Sequence, residues 1–455
     1  MSTLIQGGTV VAGSTVVENG ALVLRDGRIA DVLTRWDPAS GFDGEVVDAA
    51  GCVVMPGLIN CHTHGVTPGP LFPSGAPRLP EAAWMGNLDR HLLAGTTTVL
   101  NLCGFAGMDE VREADRRHAV HVRGATTHLP EALRAAYGAD GRGLRERQRR
   151  LDVEWMLGEG AVAIGELGGG QTLGGGGQDL VYIPAAVEQR TGVRVRMDQA
   201  RRMKEAVLGR FIDVSAYDVE SLNGVANEAG LSGRIGTSEL RKLIEDCVLP
   251  SFAPAIEGIR EGVRAAARLG VPAIVHSASA TARVMRELMA ETRQGQPQVI
   301  AAHANHPSHT PAEALELAVL GRDHGWHAEA SVFDLLYRQH TVTTREHWDL
   351  LLREPDLVSV LATDYGRDGD HDELIAAVHD VFTRGHRPLA GAVAMATSAV
   401  ADLIPGIAPN SGSLHAGRVA DVVVCDADDF RDVRYVFVDG VCVVREGNLT
   451  EEAHR

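Results

Sequence analysis

The chain has 455 residues, which is more than one compact core usually holds, so we expect one large domain and a smaller one. Its composition, 45% hydrophobic and 23% charged, is typical of a globular protein. Acidic residues outnumber basic ones by 60 to 43, and the formal net charge of -17 argues against nucleic-acid and anionic-membrane partners, because both bind basic faces. No apolar run approaches the roughly 20 residues that span a bilayer, no signal-peptide pattern opens the chain, and the six cysteines form no C-x-x-C pair. We therefore expect a cytoplasmic protein with reduced thiols.

Both ends of the chain carry short β-strand patterns. The segment ALVLRDGRIADVL alternates apolar and polar residues around Asp26-Gly27, which fits a two-residue hairpin turn. Near the C-terminus, VRYVFVDGVCVV repeats the pattern with Asp439-Gly440 at the turn. We expect residues 1–55 and 410–455 to meet in one small β-sandwich; two independent hairpins would give the same pattern.

Between the ends, a short apolar run followed by a polar end and a helical pattern recurs eight times. Runs that are continuously apolar are typical of parallel strands buried on both faces, and eight such units predict a (β/α)₈ barrel over residues 56–409. In that fold the C-terminal strand ends carry the active site. The eight runs are GLIN before His62, then 96–104, 119–128, 161–167, 271–279, 298–305, 325–333 and 357–364.

One connection is much longer than a βα unit requires. About a hundred residues separate Gly170 from Val271, and this stretch opens with the glycine cluster Gly174 to Gly177. We interpret residues 175–255 as an insertion that forms a lid or substrate-binding excursion. An extra helical layer that serves oligomer contacts is the alternative.

Two histidines end the first of these runs, VVMPGLINCHTHG. Alternate residues of a strand project from the same side, so His62 and His64 present two imidazoles together, which is half of a metal site. Cys61, between them, points to the opposite face and is not expected to be a ligand.

Further ligand-type residues stand at other strand ends, and a barrel directs all of them into one mouth. Four imidazoles and two carboxylates exceed the needs of one four-coordinate zinc ion but suit two divalent cations that share a bridging group. The set is His62, His64, Glu166, His276, His303 and Asp364.

The sequence at this point resembles the amidohydrolase superfamily. The matching pieces are PGLINCHTHG, AGTTTV, IVHS, AAHAN, LATD and GSLHAGRVADVVVCD, and the resemblance extends over essentially the whole chain apart from the insertion. The resemblance implies a metal-dependent barrel with a small β-sandwich built from both termini.

The fourth strand departs from the commonest pattern of that family, in which a carboxylated lysine ends it. The chain has two lysines, Lys204 and Lys242, and neither ends a strand, whereas Glu166 stands where the lysine would be. The segment EGAVAIGELGGG therefore resembles the branch typified by enamidase and some adenine deaminases, in which a glutamate bridges the metals. Gly165 and Gly168 to Gly170 would let the backbone come close enough for this shorter side chain. The alternative is that Glu166 lies beside one metal without binding it.

The resemblance also implies the role of each ligand. His62, His64 and Asp364 would hold one cation, His276 and His303 the other, with Glu166 and a hydroxide bridging them. Asp364 would be the catalytic acid and base, moving a proton from the hydroxide to the leaving nitrogen.

Three nearby aspartates compete with Asp364 for this role. Asp368, Asp370 and Asp372 precede an apolar helix and fit N-caps better.

Zinc is the default metal, and iron or manganese suit the same ligands.

Candidate substrate contacts follow other strand ends. His128 ends the third run and would bind substrate or cap a loop, while Asn305, His306 and His309 follow the ligand His303 and would contact substrate or lie on a surface loop. The loop GVTPGPLFPSGAPRLP, stiffened by proline, would shape the entrance.

The chain is thus expected to be an amidohydrolase that cleaves a C–N bond, other than a peptide bond, in a cyclic amide, imide, lactam or related small ring. A deaminase of an amino-substituted heterocycle, similar to adenine deaminase, would use the same residues, and a non-catalytic assembly module is the third alternative. We expect a small-molecule substrate and, from the family resemblance, a homo-oligomer.

Overall fold

A computed structural model describes residues 2–37, 41–170, 178–292, 297–332, 344–364 and 372–455. The predicted glycine cluster Gly174 to Gly177 and two of the rival aspartates, Asp368 and Asp370, lie outside these ranges. The strands of the described chain form an eight-stranded sheet and a nine-stranded sheet.

The nine-stranded sheet is built from both chain termini. Its order is β17-β16-β15-β14-β5-β1-β2-β3, with β4 on β1, and most of its pairs are antiparallel. The strands are β1 (Ser2–Ala12), β2 (Thr15–Arg25), β3 (Arg28–Leu33), β4 (Glu45–Asp48), β5 (Cys52–Pro56), β14 (Val422–Asp426), β15 (Val433–Val438), β16 (Val441–Arg445) and β17 (Asn448–Leu449).

Both predicted hairpin turns are confirmed. Arg25 pairs with Arg28 around Asp26 and Gly27, whose φ values of 51° and 76° are those of a type I′ turn. Asp439 and Gly440 do the same between β15 and β16, with φ values of 52° and 75°. The termini therefore meet in one sheet rather than in two separate hairpins. The domain boundaries at residues 55/56 and 409/410 stay a prediction.

The eight-stranded sheet is the predicted parallel barrel. Its strands are adjacent in chain order, and the first and last meet through a hydrogen bond from Asn60 Nδ2 to Thr363 Oγ1 (2.7 Å) and one from the Asp364 N–H to the His62 carbonyl (3.1 Å), so the barrel is nearly closed. The strands are β6 (Leu58–Thr63), β7 (Thr96–Asn101), β8 (His121–Thr126), β9 (Ala163–Leu167), β10 (Ala273–His276), β11 (Val299–Ala302), β12 (His327–Ser331) and β13 (Val358–Ala362).

Helices surround this barrel and build the insertion. They are α1 (Glu81–Leu93), α2 (Met108–Arg117), α3 (Pro130–Ala139), α4 (Glu146–Arg150), α5 (Val153–Gly158), α6 (Ile183–Thr191), α7 (Met197–Leu208), α8 (Val219–Glu228), α9 (Thr237–Leu269), α10 (Ala282–Glu291), α11 (Pro311–Asp323), α12 (Arg345–Arg353), α13 (Leu374–Thr383), α14 (Leu389–Ala394) and α15 (Ser398–Leu403). None of the described helices is long and apolar enough to cross a membrane.

The barrel interior is filled by small and branched apolar side chains below the mouth. One buried cluster takes residues from seven of the strands and from α15, including Ile59, Leu100, Ile274, Ile300 and Val360. Cys61 belongs to this cluster, so it is a core residue. Since the apolar layer is rigid, the polar residues above it have a firm floor.

The helix after β13 begins differently from the prediction. Glu373 occupies the N-cap position of α13, and Asp372 is fully buried one residue earlier, so the expectation that Asp372 caps this helix is wrong. The chain turns into the helix one residue later than the Asp-rich pattern indicates.

The insertion forms a helical layer with a core of its own. Residues of α6, α7, α8 and the first half of α9 bury one another in a separate apolar cluster. The second half of α9 continues into the barrel layer, where Ile259 and Val263 pack with residues of β9 and β10. One continuous 33-residue helix thus joins the insertion to the barrel.

Candidate metal centre

The six predicted ligands converge at the C-terminal end of the barrel. His62 lies in β6, Glu166 in β9 and His276 at the end of β10, while the others follow β6, β11 and β13 within two residues. Five of the side chains are at most 5% exposed, and that of Asp364 is 26% exposed. The group is therefore a buried pocket that opens on the side of Asp364.

Glu166 is the centre of this group, because each of its carboxylate oxygens faces two imidazoles. Oε1 lies 2.7 Å from His276 Nδ1 and 3.1 Å from His303 Nε2. Oε2 lies 3.5 Å from His64 Nε2 and 3.7 Å from His62 Nε2. The carboxylate thus separates the four histidines into two pairs.

Asp364 faces the pair from the first strand. Its Oδ1 is 3.3 Å from His64 Nε2 and 3.5 Å from His62 Nε2, and its Oδ2 is 3.8 Å from His303 Nδ1. At the mouth, three sets of side chains have donor atoms close enough to hold one cation each. Two of them are His62, His64 and Asp364, and Glu166, His276 and His303; the third joins His62 and His303 to Glu329, a residue of β12.

The backbone around Glu166 has no room for side chains. A Cβ on Gly169 would lie 2.0 Å from Glu166 Oε2 and 2.7 Å from Oε1, and a Cβ on Gly165 would lie 2.8 Å from the carbonyl oxygen of Ile274. Glycine at these positions therefore permits the close approach that a short carboxylate needs.

The pocket is built to hold positive charge. Burial would raise the pKa of the Glu166 carboxyl, but hydrogen bonds with His276, His303 and the first-strand histidines hold it well below its usual range. Burial also opposes ionisation of Asp364, yet the charge of His303 and the hydrogen bond with His64 lower the pKa of Asp364 to about 2. Both carboxylates are ionised at neutral pH.

The donor set fits divalent cations. Within the described chain, His62 Nε2 is buried and has no hydrogen-bond partner, although the other ring nitrogen, Nδ1, is bonded to Glu329. A ring nitrogen without a hydrogen-bond partner, next to two carboxylates, is available to a metal ion, which binds in place of the proton.

Glu329 was missed by the sequence analysis. It lies inside β12, is fully buried, and places Oε2 at 3.0 Å from His62 Nδ1. Burial would raise the pKa of Glu329, but the charge and hydrogen bond of His62, the charge of His303 and the Ser331 hydroxyl lower it. The signal in the sequence was a carboxylate inside HAEAS, a strand otherwise made mostly of small residues. This strand, like the second and third strands of the barrel, had no predicted metal ligand.

Cys103 also lies beside a predicted ligand, His64, and this contact was not indicated by the sequence. Its Sγ lies 3.7 Å from His64 Nδ1, and the ring of Phe72 packs against the same imidazole with 5.3 Å between ring centroids. Phe72 belongs to the proline-stiffened loop predicted to shape the entrance, so this loop touches the pocket at His64.

The predicted substrate residues fall in different surroundings. The His306 ring lies 5.6 Å from that of His276, and burial together with the charges of His276 and Arg201 holds the pKa of His306 well below its usual value. His128 instead packs against Phe105, with ring centroids 5.4 Å apart, and burial lowers the pKa of His128 to about 4.

Asn305 and His309 serve neighbouring loops. The Asn305 carboxamide donates to the Ser331 carbonyl (2.8 Å) and accepts from the Ser331 N–H (2.9 Å), so both of its ends are engaged. His309 Nε2 lies 3.2 Å from Ser277 Oγ, next to the ligand His276.

The insertion reaches the loops that carry two of the histidines. Arg210, just after α7, donates to the Ser308 carbonyl (2.9 Å) and pairs with Glu313, and its own carbonyl accepts the Ser279 hydroxyl (2.8 Å). The helical layer is thus attached at the mouth, on the side of β10 and β11.

Two further histidine–carboxylate groups lie at the opposite end of the barrel. His121, at the start of β8, has Nε2 3.7 Å from both Asp421 and Asp439. Asp89 of α1 lies 3.2 Å from His118 Nε2 and accepts from His454 (2.7 Å).

The fold and the pocket define the class: a (β/α)₈-barrel protein with a histidine–carboxylate centre at its mouth. Residues 240–443 match the model of the Amidohydrolase family. This match indicates an amidohydrolase, a hydrolase that acts on carbon–nitrogen bonds other than peptide bonds, and it includes the segments that carry His276, His303 and Asp364.

Known proteins resemble the chain over its whole length or locally. The imidazolonepropionase of Solibacter usitatus is 25% identical over 450 residues, which cover 94% of this chain and 92% of that protein. The 5-methylthioadenosine/S-adenosylhomocysteine deaminase of Desulforamulus reducens is 37% identical over 86 residues, and the match spans 18% of this chain and 19% of that protein. The structure of a D-hydantoinase superposes with a TM-score of 0.56 at 14% identity and covers 100% of this chain and 97% of that one, which shows the shared fold.

Proposed function

We propose that this protein is a metal-dependent hydrolase that opens a C–N bond in a cyclic amide, imide, lactam or related small ring. The observation that carries the proposal is the position of Glu166, whose two oxygens each face a pair of imidazoles. The similarity to an imidazolonepropionase over nearly the whole chain supports a ring substrate.

We assign the ligands in two sets that share Glu166. His62, His64 and Asp364 would hold one cation and His276 and His303 the other, as in the branch of the family with a bridging glutamate. Zinc is the default, and iron or manganese suit the same donors. When bound, two cations supply Lewis acidity and lower the pKa of water towards about 7.

Asp364 is the residue that we expect to move the proton. It is ionised, lies at the exposed side of the pocket and reaches both first-strand imidazoles with one oxygen, which leaves the other oxygen for a water or substrate. It would take the proton of the attacking water and deliver it to the ring nitrogen as the C–N bond breaks.

We propose His306 as a substrate contact, because its ring lies beside His276 at the mouth and burial keeps it neutral. His128, which packs against Phe105, and Asn305, which holds the loop at Ser331, stay further candidates for substrate contacts. The buried free cysteines fit the expected cytoplasmic location. A small-molecule substrate and a homo-oligomer stay our predictions.

A deaminase is the second candidate, and the local similarity to a purine-type deaminase favours it. The same residues would activate water to attack a ring carbon that bears an amino group, so release of ammonia without ring opening distinguishes it. The third alternative, a non-catalytic module, does not explain why His62 Nε2 is buried without a hydrogen-bond partner in the described part of the chain.

The test combines metal removal with a substitution. We expect the purified protein to contain two equivalents of metal, to lose activity against a panel of ring amides on chelation, and to recover it on reconstitution. Asp364→Asn should lower kcat by roughly 1,000-fold, the middle of the range for a lost general acid–base. Asp402→Asn, an exposed aspartate in α15, is the matched control and should keep full activity.

The opposite results decide against the proposal. Activity that survives chelation, or an Asp364→Asn protein as active as the control, would show that the pocket is not the catalytic centre. Ammonia as the sole product, with the ring intact, would replace ring opening by deamination.

A further inference from the structure

Glu329 contacts histidines from both of the proposed ligand sets, although it is a member of neither. Its side chain is fully buried in β12. Both of its oxygens are used, one for each set, and the two arms differ in length.

The short arm reaches the first strand. Glu329 Oε2 lies 3.0 Å from His62 Nδ1, and because a carboxylate only accepts, the imidazole proton sits on Nδ1. In the neutral ring, which is the form that binds a metal, the lone pair is then on Nε2, which faces Asp364 Oδ1 at 3.5 Å and Glu166 Oε2 at 3.7 Å. Glu329 therefore leaves Nε2 of His62 as the nitrogen for the first cation position.

The long arm passes through a hydroxyl. Ser331 Oγ donates its proton to Glu329 Oε1 (2.6 Å), so the same serine oxygen can accept a hydrogen bond from His303 Nδ1 (3.1 Å). The lone pair of His303 is then on Nε2, 3.1 Å from Glu166 Oε1. The backbone of Ser331 is itself held by two hydrogen bonds with the Asn305 side chain.

We propose that Glu329 is a positioning residue that sets the tautomer of one ligand of each cation, directly for His62 and through Ser331 for His303. The inference rests on the proposed two-metal function and adds that the two sites share one support. Loss of Glu329 should weaken both sites, whereas loss of Ser331 should weaken only the site of His276 and His303.

The experiment measures metal binding instead of turnover. Metal-free wild type, Glu329→Gln and Ser331→Ala proteins are titrated with zinc under a competing chelator, and cobalt(II) replaces zinc so that the absorption bands report ligand geometry. Glu110→Gln is the matched control, because Glu110 is also a buried glutamate but contacts Gly107 and Gln148 rather than a ligand. Thermal unfolding of the metal-free proteins shows whether each variant folds.

We expect Glu329→Gln to weaken both binding steps by roughly 10- to 100-fold, the range for a lost partner of a metal-ligating histidine. Ser331→Ala should weaken one step and leave the other within about 2-fold of wild type. The cobalt bands should shift in both variants and stay unchanged in Glu110→Gln.

Each other outcome overturns the inference. Two unchanged binding steps in Glu329→Gln, or equal weakening of both steps in the two variants, would show that Glu329 does not act through the two arms. Three cations bound by the wild type would make Glu329 a ligand. A wild type that binds fewer than two cations would overturn the proposed function as well, which separates the two failures.

Discussion

The two ends of the barrel both gather histidines and carboxylates, yet the ring nitrogens of these histidines are used differently. At the opposite end, His118 Nδ1 accepts the Val120 N–H (3.0 Å), so its proton is on Nε2 and is donated to Asp89. At the mouth, the nitrogen of His62 that faces Glu329 holds a proton, and Nε2 has no hydrogen-bond partner among the described residues. His118 therefore has no ring nitrogen left for a metal, and His62 has one.

Asp421 at the opposite end is likewise satisfied by the protein. It accepts the Asp439 N–H (3.0 Å) and the Ser411 hydroxyl (2.8 Å), and it ties the start of β8 to the terminal sheet through His121. The comparison teaches that residue types alone do not define a metal site. The site is defined by where the protons of the imidazoles are held, which the neighbours of each ring decide.

Among the variants that test the comparison of the two barrel ends, the largest effect should come from displacing the Glu166 carboxylate without replacing the residue. In Gly169→Ala the new methyl group would overlap the carboxylate, so Glu166 must move away from the imidazoles. We expect kcat to fall by roughly 100-fold, as for a misplacement of about 1 Å, and the second metal to bind more weakly. Gly158→Ala, where an added Cβ meets nothing within 4 Å, should behave as wild type. If both alanine variants had equal activity, the close approach would be irrelevant to function.

An intermediate effect on stability, with none on metal binding, is expected for Asp421→Asn. Breaking a nearly buried ion pair should lower the free energy of unfolding by about 3 kcal/mol, while metal content stays at the wild-type value. Denaturant unfolding and metal analysis measure the two quantities. Reduced metal content in this variant would erase the distinction between the two barrel ends.

The loss of stability in Asp421→Asn should depend on pH, because the pKa values of both His121 and Asp421 are shifted in the folded protein. Burial would lower the pKa of His121, but Asp421 and Asp439 raise it above 6.5, so its contribution is present below pH 6.5 and is lost as pH rises through the folded pKa. Burial would raise the pKa of Asp421, but His121 lowers it below 3.8, so its contribution is present above pH 3.8 and is lost as pH falls through the folded pKa. The difference between wild type and Asp421→Asn should therefore be largest from pH 3.8 to 6.5 and smaller in alkaline buffer. A difference that grows above pH 8 would contradict this ion pair.

The smallest effect should come from His454→Ala. The side chain is 51% exposed, and such pairs contribute less than about 1 kcal/mol; backbone hydrogen bonds from Ala119 to Ala453 and from Arg455 to Arg117 also hold the C-terminus. Added zinc should raise the melting temperature of wild type and variant equally, because zinc would bind at the barrel mouth in both proteins. A smaller rise in the variant would show that Asp89, His118 and His454 bind metal after all.

Much of the fold and of the ligand set could be predicted because it depends on local pattern. His62 and His64 follow an apolar run by strand periodicity, Asp26-Gly27 and Asp439-Gly440 are specified by the φ values that their turns require, and each polar strand end lies at the mouth once the barrel is known. The N-cap of α13 could not be predicted, since several acidic residues in succession compete for one position.

The sequence by itself determined the barrel, the terminal sheet and the residues available as ligands, because strand periodicity and turn chemistry act over a few residues. Only the tertiary structure decided which nitrogen of each histidine faces the pocket. Glu329 stands 267 positions from His62 in the chain, and a hydrogen bond between them forms only when β6 and β12 take their places around the barrel. The same holds for Arg210 of the insertion against Ser279 and Ser308, because contacts between distant segments depend on packing and not on local pattern.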